Sequence, residues 1–205
     1  MTLLSEAEIA QVGQAIAEVE QHTDAELVTV LARQADEYYY IPALWAALIA
    51  LLSPGIVLLT PFWLDVAEVL LVQLVVFFVF AGLLRIPPIL RRIIPTSVKQ
   101  WRASNLARRC FLENNLHHTD GETGVLIFVS EAEHYVEIIA DRGINNQVAA
   151  DAWQHIVDDM TAALAGGATL QGFLTAVQGC GKLLTEHFPA THDRNELPNH
   201  MIVLD

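Results

Sequence analysis

Four carboxylates near the ends of extended segments are the side chains in this sequence best placed to do chemistry: Glu26, Asp120, Glu122 and Asp141, the last followed directly by Arg142. Carboxylate oxygens are hard ligands and suit calcium or magnesium. A plainer reading stands beside this one. Asp141-Arg142-Gly143 ends a strand, with Asp141 accepting turn amides and Arg142 paired to an acid. Phosphoryl chemistry would need a nucleophile or a metal-activated water, together with cations that stabilise the transferring group. The chain contains no phosphate-binding glycine loop, no Cys-x5-Arg, no nucleophile elbow and no His-Glu-x-x-His. His117-His118 and the tail pair His192 and His200 lack the short fixed spacing of a zinc site. Cys110 and Cys180 show no metal spacing and read as buried small hydrophobes in a reducing compartment.

The elements that must position these carboxylates follow from local pattern. Ser5 with Glu8 is a capping-box signature, and Ile9, Val12, Ile16 and Val19 recur at helical spacing up to about His22. Glu26 to Ala32 is rich in branched apolar residues and predicts a buried strand. Thr96 to Asn115 predicts a long basic helix with Val98, Trp101, Leu106, Ala107 and Cys110 towards the core. Val125–Val129 and Tyr135–Ala140 predict two strands joined by a polar connection. Two further helices follow. The first carries Trp153, Ile156, Val157, Met160 and Leu164 and stops at Gly166-Gly167. The second carries Leu170, Phe173, Leu174, Val177 and Leu184 and ends near His187. Met201–Leu204 is a short run that suits an edge strand.

Between the first strand and the basic helix lie two apolar runs, Ile41 to Leu59 and Leu64 to Leu84. Each meets the roughly 20 residues that a helix needs to cross a bilayer. Thr60, Pro61, Phe62 and Trp63 alone separate them, so they form an antiparallel hairpin. Pro54-Gly55 predicts a kink in the first. In the second, Asp65 and Glu68 sit near the edge, and Gln73 is expected to bond to the partner helix. Tyr38, Tyr39, Tyr40, Trp45 and Trp63 match the aromatic belt of a membrane interface.

Charge is distributed unevenly around the hairpin. The formal net charge is −13, yet residues 85–109 hold seven bases and no acid. Arg85, Arg91 and Arg92 lie next to the span, and bases in that position mark the cytoplasmic face. Both termini are then cytoplasmic and the Thr60–Trp63 turn faces out. A basic collar against a span suits anionic lipid headgroups better than nucleic acid. Met1 to His22 has neither a basic n-region nor a continuous apolar h-region, so no signal peptide is read there. A strand that precedes residue 41 cannot stand unpaired, because its backbone groups need partners, so it must join the strands after residue 124. Two spans return the chain to one side and allow that pairing.

Three segments together resemble the TPM domain family, also called the TLP18.3/Psb32/MOLO-1 family: Thr23-Asp24-Ala25-Glu26-Leu27-Val28, Thr123-Gly124-Val125-Leu126-Ile127-Phe128-Val129-Ser130, and Val136 to Ile144 with its Asp141-Arg142-Gly143-Ile144 end. Trp153, Glu186-His187-Phe188-Pro189 and Asn195-Glu196-Leu197-Pro198 are similar to its bacterial membrane-bound branch. The resemblance implies an α/β fold, an α/β/α sandwich around a small mixed sheet, with the two-helix transmembrane hairpin inserted after the first strand. It implies a phosphatase label, divalent-cation binding in some members and assembly of membrane complexes in others. It also points to Asp141 as a member of an acidic cleft, with Arg142 as an anion clamp. Many relatives place the domain outside the cytoplasm, and here the basic collar argues for inside.

The expected organisation is residues 1–40 as the first part of the domain, 41–84 as the hairpin and 85–95 as a basic juxtamembrane linker. Residues 96–190 complete the domain and 191–205 form a tail. The expected function is an interaction or assembly module at the cytoplasmic face of a bacterial inner membrane. Its partners would be anionic lipid and other membrane proteins, not nucleic acid, and calcium or magnesium would sit at Asp141, Glu26, Asp120 and Glu122. The alternatives are a weak metal-dependent acid phosphatase and a transport accessory that uses Glu68 and Gln73.

Overall fold

The computed structural model describes residues 4–59, 61, 63–119, 121–191, 197–198 and 200–204. Asp120, the turn positions Thr60 and Phe62, and the tail residues His192, Asn195 and Glu196 lie outside them. The chain divides into two compact units, Met1–Ala35 with Gln100–Asp205, and Asp36–Lys99.

In the first unit, β1 (Glu26–Ala32) lies parallel to β2 (Gly124–Ser130), with Glu26 opposite Gly124 and Ala32 opposite Ser130. β3 (Tyr135–Ala140) runs antiparallel to β2, and β4 (Met201–Leu204) lies parallel to β1, giving the order β3-β2-β1-β4. The strand before the insertion therefore pairs on both edges, and the tail run forms the outer strand. Both central strands are buried along their whole length. Strands read as continuous apolar runs when helices cover both faces.

Alternate residues divide the core in two. Leu27, Leu31, Val125, Ile127 and Val129 meet α1 (Glu6–Glu20), α7 (Ala150–Ala165) and α8 (Thr169–His187) through Val12, Ile16, Met160, Phe173 and Leu184. Val28, Val30, Leu126 and Phe128 meet α5 (Thr96–Glu113) through Ala103, Ala107, Cys110 and Phe111. The result is an α/β/α sandwich with a mixed sheet in the middle. Burial pushes the Cys110 thiol up to about 11 and the Cys180 thiol up to about 12, so both stay protonated near neutrality.

α5 turns Ala107 and Cys110 to the sheet with Leu106 beside them, as its spacing predicts, whereas Trp101 faces away. Trp101 is 60% exposed, with the Arg102 guanidinium 4.9 Å from its ring centre. Ala103 and Ala107 let the helix come close to Leu126 and Phe128, and Cys110 and Phe111 fill the same layer. α1 starts as its sequence predicts, with Ser5 N–H donating to Glu8 Oε2 at 2.8 Å and Glu8 N–H to Ser5 Oγ at 3.3 Å.

The second unit holds α2 (Tyr40–Val57) and α3 (Val66–Leu83), each 18 residues and about 27 Å long. Both are long and apolar enough to cross a membrane. α2 turns Ala46, Ala50 and Ser53 inward, whereas α3 buries no residue. Pro54 lies inside α2 and has no N–H for the Ala50 carbonyl one turn back. The Ser53 hydroxyl donates to that carbonyl instead, at 2.8 Å. Asp65 and Glu68 form a reciprocal capping box at the start of α3, with bonds of 2.8 and 3.0 Å. That cap accounts for both acids without a transport role. Gln73, expected to bond to α2, makes no hydrogen bond among the described residues.

Residues 87–93, read as part of a linker, form a short helix, α4 (Pro87–Ile93). Prolines at its first two positions suit a helix start, and Arg91 and Arg92 in its last turn face the negative end of the helix dipole. The Lys99 ammonium donates to the Arg91 carbonyl at 2.8 Å. Tyr38, Ile41 and Ile94 pack together with Leu90, Ile93 and Val98.

Candidate functional site

Three chain segments converge at one end of the sheet. Glu26 begins β1 opposite Gly124, which begins β2, and the Asp141 N–H donates to the Gly124 carbonyl at 2.8 Å. Glu26 and Asp141 therefore flank Gly124. A turn of 3-10 helix, Leu116–His118, covers this edge closely, because a Cβ on Gly124 would stand 2.2 Å from the Leu116 carbonyl oxygen.

The Gly121-Glu122 turn completes the rim. Glu122 has φ +56°, its N–H donates to the Thr119 carbonyl at 3.1 Å, and its carbonyl accepts from Gly143 N–H at 3.0 Å. Here glycine is required by proximity. A Cβ on Gly143 would lie 2.2 Å from the Gly121 oxygen and 2.7 Å from the Glu122 oxygen. Glu122 and Asp141 are thus drawn to one corner by backbone contact, while the Glu122 residue remains exposed.

Asp141 caps a short helix, α6 (Arg142–Asn145), which the sequence reading treated only as a strand end. Asp141 Oδ1 accepts from the Arg142 N–H at 2.7 Å, as expected of a turn acceptor. Asp141 Oδ2 is buried and has no hydrogen-bond partner. Arg142 is exposed and forms no ion pair among the described residues, in contrast to the pairing with an acid read as the alternative.

Glu26 is 5% exposed and holds the tail, since its Oε2 accepts from the Leu197 N–H at 3.2 Å. Asp24 does likewise, accepting from both the N–H and the hydroxyl of Thr191. The nearby hydroxyls are also engaged, Thr119 accepting from Thr123 N–H and Thr123 donating to the Asp24 carbonyl.

One titratable group here escaped the sequence reading. Glu20 follows Val12 and Ile16 at intervals of four, which puts it on the buried face of α1, and that spacing was the available signal. Its Oε1 accepts from Leu27 N–H at 2.9 Å and its Oε2 is buried without a partner. Burial pushes its carboxyl up to about 8; the Leu27 bond opposes this and the Glu26 charge adds to it.

The donor chemistry fits a hard cation in part. Asp141 Oδ2 is buried without a hydrogen-bond partner, and a carboxylate oxygen is a ligand that calcium or magnesium accepts. Among the described residues, however, no three His, Cys, Asp or Glu side chains come together as a metal site. Asp120 lies outside the described residues and Glu26 is committed to the tail.

The residues read as a membrane belt are placed differently from one another. Tyr39, Tyr40, Trp45 and Trp63 are exposed, as are Arg85, Arg91 and Arg92, whereas Tyr38 is buried. Tyr38 has φ +52° and packs on Ile41 and Ile94.

Residues 92–183 match the family model described as the TPM domain. No curated protein matches the sequence. Among solved structures, the chain is similar to the BA42 protein of the psychrophilic bacterium Bizionia argentinensis, with a TM-score of 0.60 and 18% identity. The match covers 98% of this chain and 94% of that one, and at this identity it speaks for the fold.

Proposed function

We propose that this chain is an interaction or assembly module held at the cytoplasmic face of a bacterial inner membrane by its two-helix hairpin. The observation that carries this reading is α3, an 18-residue apolar helix with no buried residue. Leu70, Leu71, Leu74, Phe78 and Val79 all stand exposed on it. A surface of that kind is suited to hydrocarbon and unsuited to water. The exposed Arg85, Arg91 and Arg92 next to it support contact with anionic headgroups and cytoplasmic termini. The domain-end carboxylates, with most hydroxyls around them already engaged, suit binding better than turnover.

The test uses the full chain in native membranes. It should resist carbonate extraction, and a cysteine from Ser5→Cys should react only with reagent on the cytoplasmic side. Labelling of Ser5→Cys from the periplasm would overturn the orientation.

The buried, unpartnered Asp141 Oδ2 beside exposed Arg142 favours a second reading, a weak metal-dependent phosphatase. Under the first reading calcium raises the melting temperature, Asp141→Asn abolishes that rise, and a generic phosphoester is not turned over. Turnover that Asp141→Asn removes would replace the scaffold reading with the enzymatic one.

A further inference from the structure

We infer that Gln73 pairs this hairpin with a second copy of itself inside the bilayer, an inference that rests on the membrane reading above. Gln73 lies seven residues into α3, about 10 Å from the first residue of that helix. Its amide carries two donors and an acceptor. Among the described residues it bonds to nothing.

Among the described residues the hairpin offers it no partner. Along α2 the residues with polar side chains are Tyr40 and Trp45, near its start, and Ser53, whose hydroxyl is committed to the Ala50 carbonyl. Glu68 is committed to the cap. Hydrocarbon supplies no hydrogen bonds, so a bare primary amide at this depth is strongly disfavoured.

Gln73 lines an open groove of about 630 Å³ between α2 and α3, together with Ala47, Ala50, Leu70, Leu74 and Phe77. The occupant of that groove must present both a donor and an acceptor at one depth. A primary amide is complementary to itself, so the Gln73 of a second copy meets the requirement with two reciprocal bonds. Such a contact is isologous and closes as a two-fold dimer. The alanines on the α2 side let the incoming helix approach closely.

The test is energy transfer between labelled full-length copies in phosphatidylethanolamine–phosphatidylglycerol liposomes, read across a range of protein-to-lipid ratios. Gln73→Leu should weaken self-association about tenfold, and Gln73→Asn, which keeps the amide, should retain most of it. With Leu74→p-benzoylphenylalanine, irradiation in native membranes should give a band at twice the chain mass. Equal association of Gln73→Leu and the parent chain, or crosslinks to other proteins alone, would overturn the inference while leaving the membrane reading intact. Release of the parent chain by carbonate would overturn both.

Discussion

Glu20→Gln separates a structural role for Glu20 from an electrostatic penalty that grows with pH. In the folded chain the Glu20 carboxyl titrates at about 8, against an ordinary value of 4.5, with burial as the main cause. A carboxyl raised on folding stabilises the fold fully below the lower value and loses that stabilisation as pH climbs to the upper one. Between these limits each pH unit is worth about 1.4 kcal/mol, a ceiling of about 5 kcal/mol. Partial exposure of the side chain reduces the expected figure to about 3 kcal/mol. Glutamine keeps the carbonyl that accepts from Leu27 and cannot ionise. The full chain in mild detergent, unfolded by urea at pH 4.5 and at pH 8.5, should therefore show a variant close to the parent at the acid end. At the alkaline end the variant should be more stable by about 3 kcal/mol. A stability difference that stays constant across this range would refute the reasoning. So would a carbon NMR titration of Glu20 with its midpoint near 4.5.

Three further changes follow from single contacts. Ser53→Ala leaves the Ala50 carbonyl without a donor beside Pro54 and should destabilise the hairpin by about 1–2 kcal/mol in bicelles, measured by steric trapping. Gly143→Ala drives a methyl group into the Gly121 and Glu122 carbonyls and should remove about 1–3 kcal/mol, seen as a melting point lower by several degrees. Glu133 is buried and accepts from both the Ser130 hydroxyl and the Ala35 N–H, so Glu133→Ala should remove about 3 kcal/mol and speed hydrogen exchange at Ala35.

The sheet was legible because its central strands are apolar without interruption and its end carries turn residues. Glu26–Ala32 and Tyr135–Ala140 fall where their composition puts them. Three features were not legible, each for a local reason. The Pro87-Pro88 pair reads as a break, yet proline at the first turn starts a helix as readily as it ends one. Trp101 carries more apolar surface than any neighbour, but the α5 face that packs is the one whose alanines allow close approach to Phe128. The corner between Gly121 and Gly143 is made by backbone contact, which leaves no side-chain pattern to read. Asp141 was singled out among four carboxylates near strand ends by the resemblance of the Asp141-Arg142-Gly143-Ile144 segment to the TPM domain family. Its unpartnered oxygen belongs to the fold and cannot be read from a sequence.

An insertion inside one sheet needs a physical account, because β1 and β2 pair across the whole of Asp36–Lys99. Closing a loop costs entropy only as the logarithm of its length. The insertion lengthens the connection between β1 and β2 about threefold, which adds about 1 kcal/mol to the closure penalty. Burying one or two of the side chains that the pairing places in the core offsets that amount. The fold can therefore carry a hairpin at this point if the insertion satisfies its own backbone and leaves the register of β1 untouched. Here it does both: Ser53 covers the carbonyl that Pro54 leaves open, Asp65 and Glu68 cap the second helix, and β1 ends at Ala32 before the insertion begins. Well inside the second helix, Gln73 keeps an amide that bonds to nothing among the described residues, and a partner would meet it there.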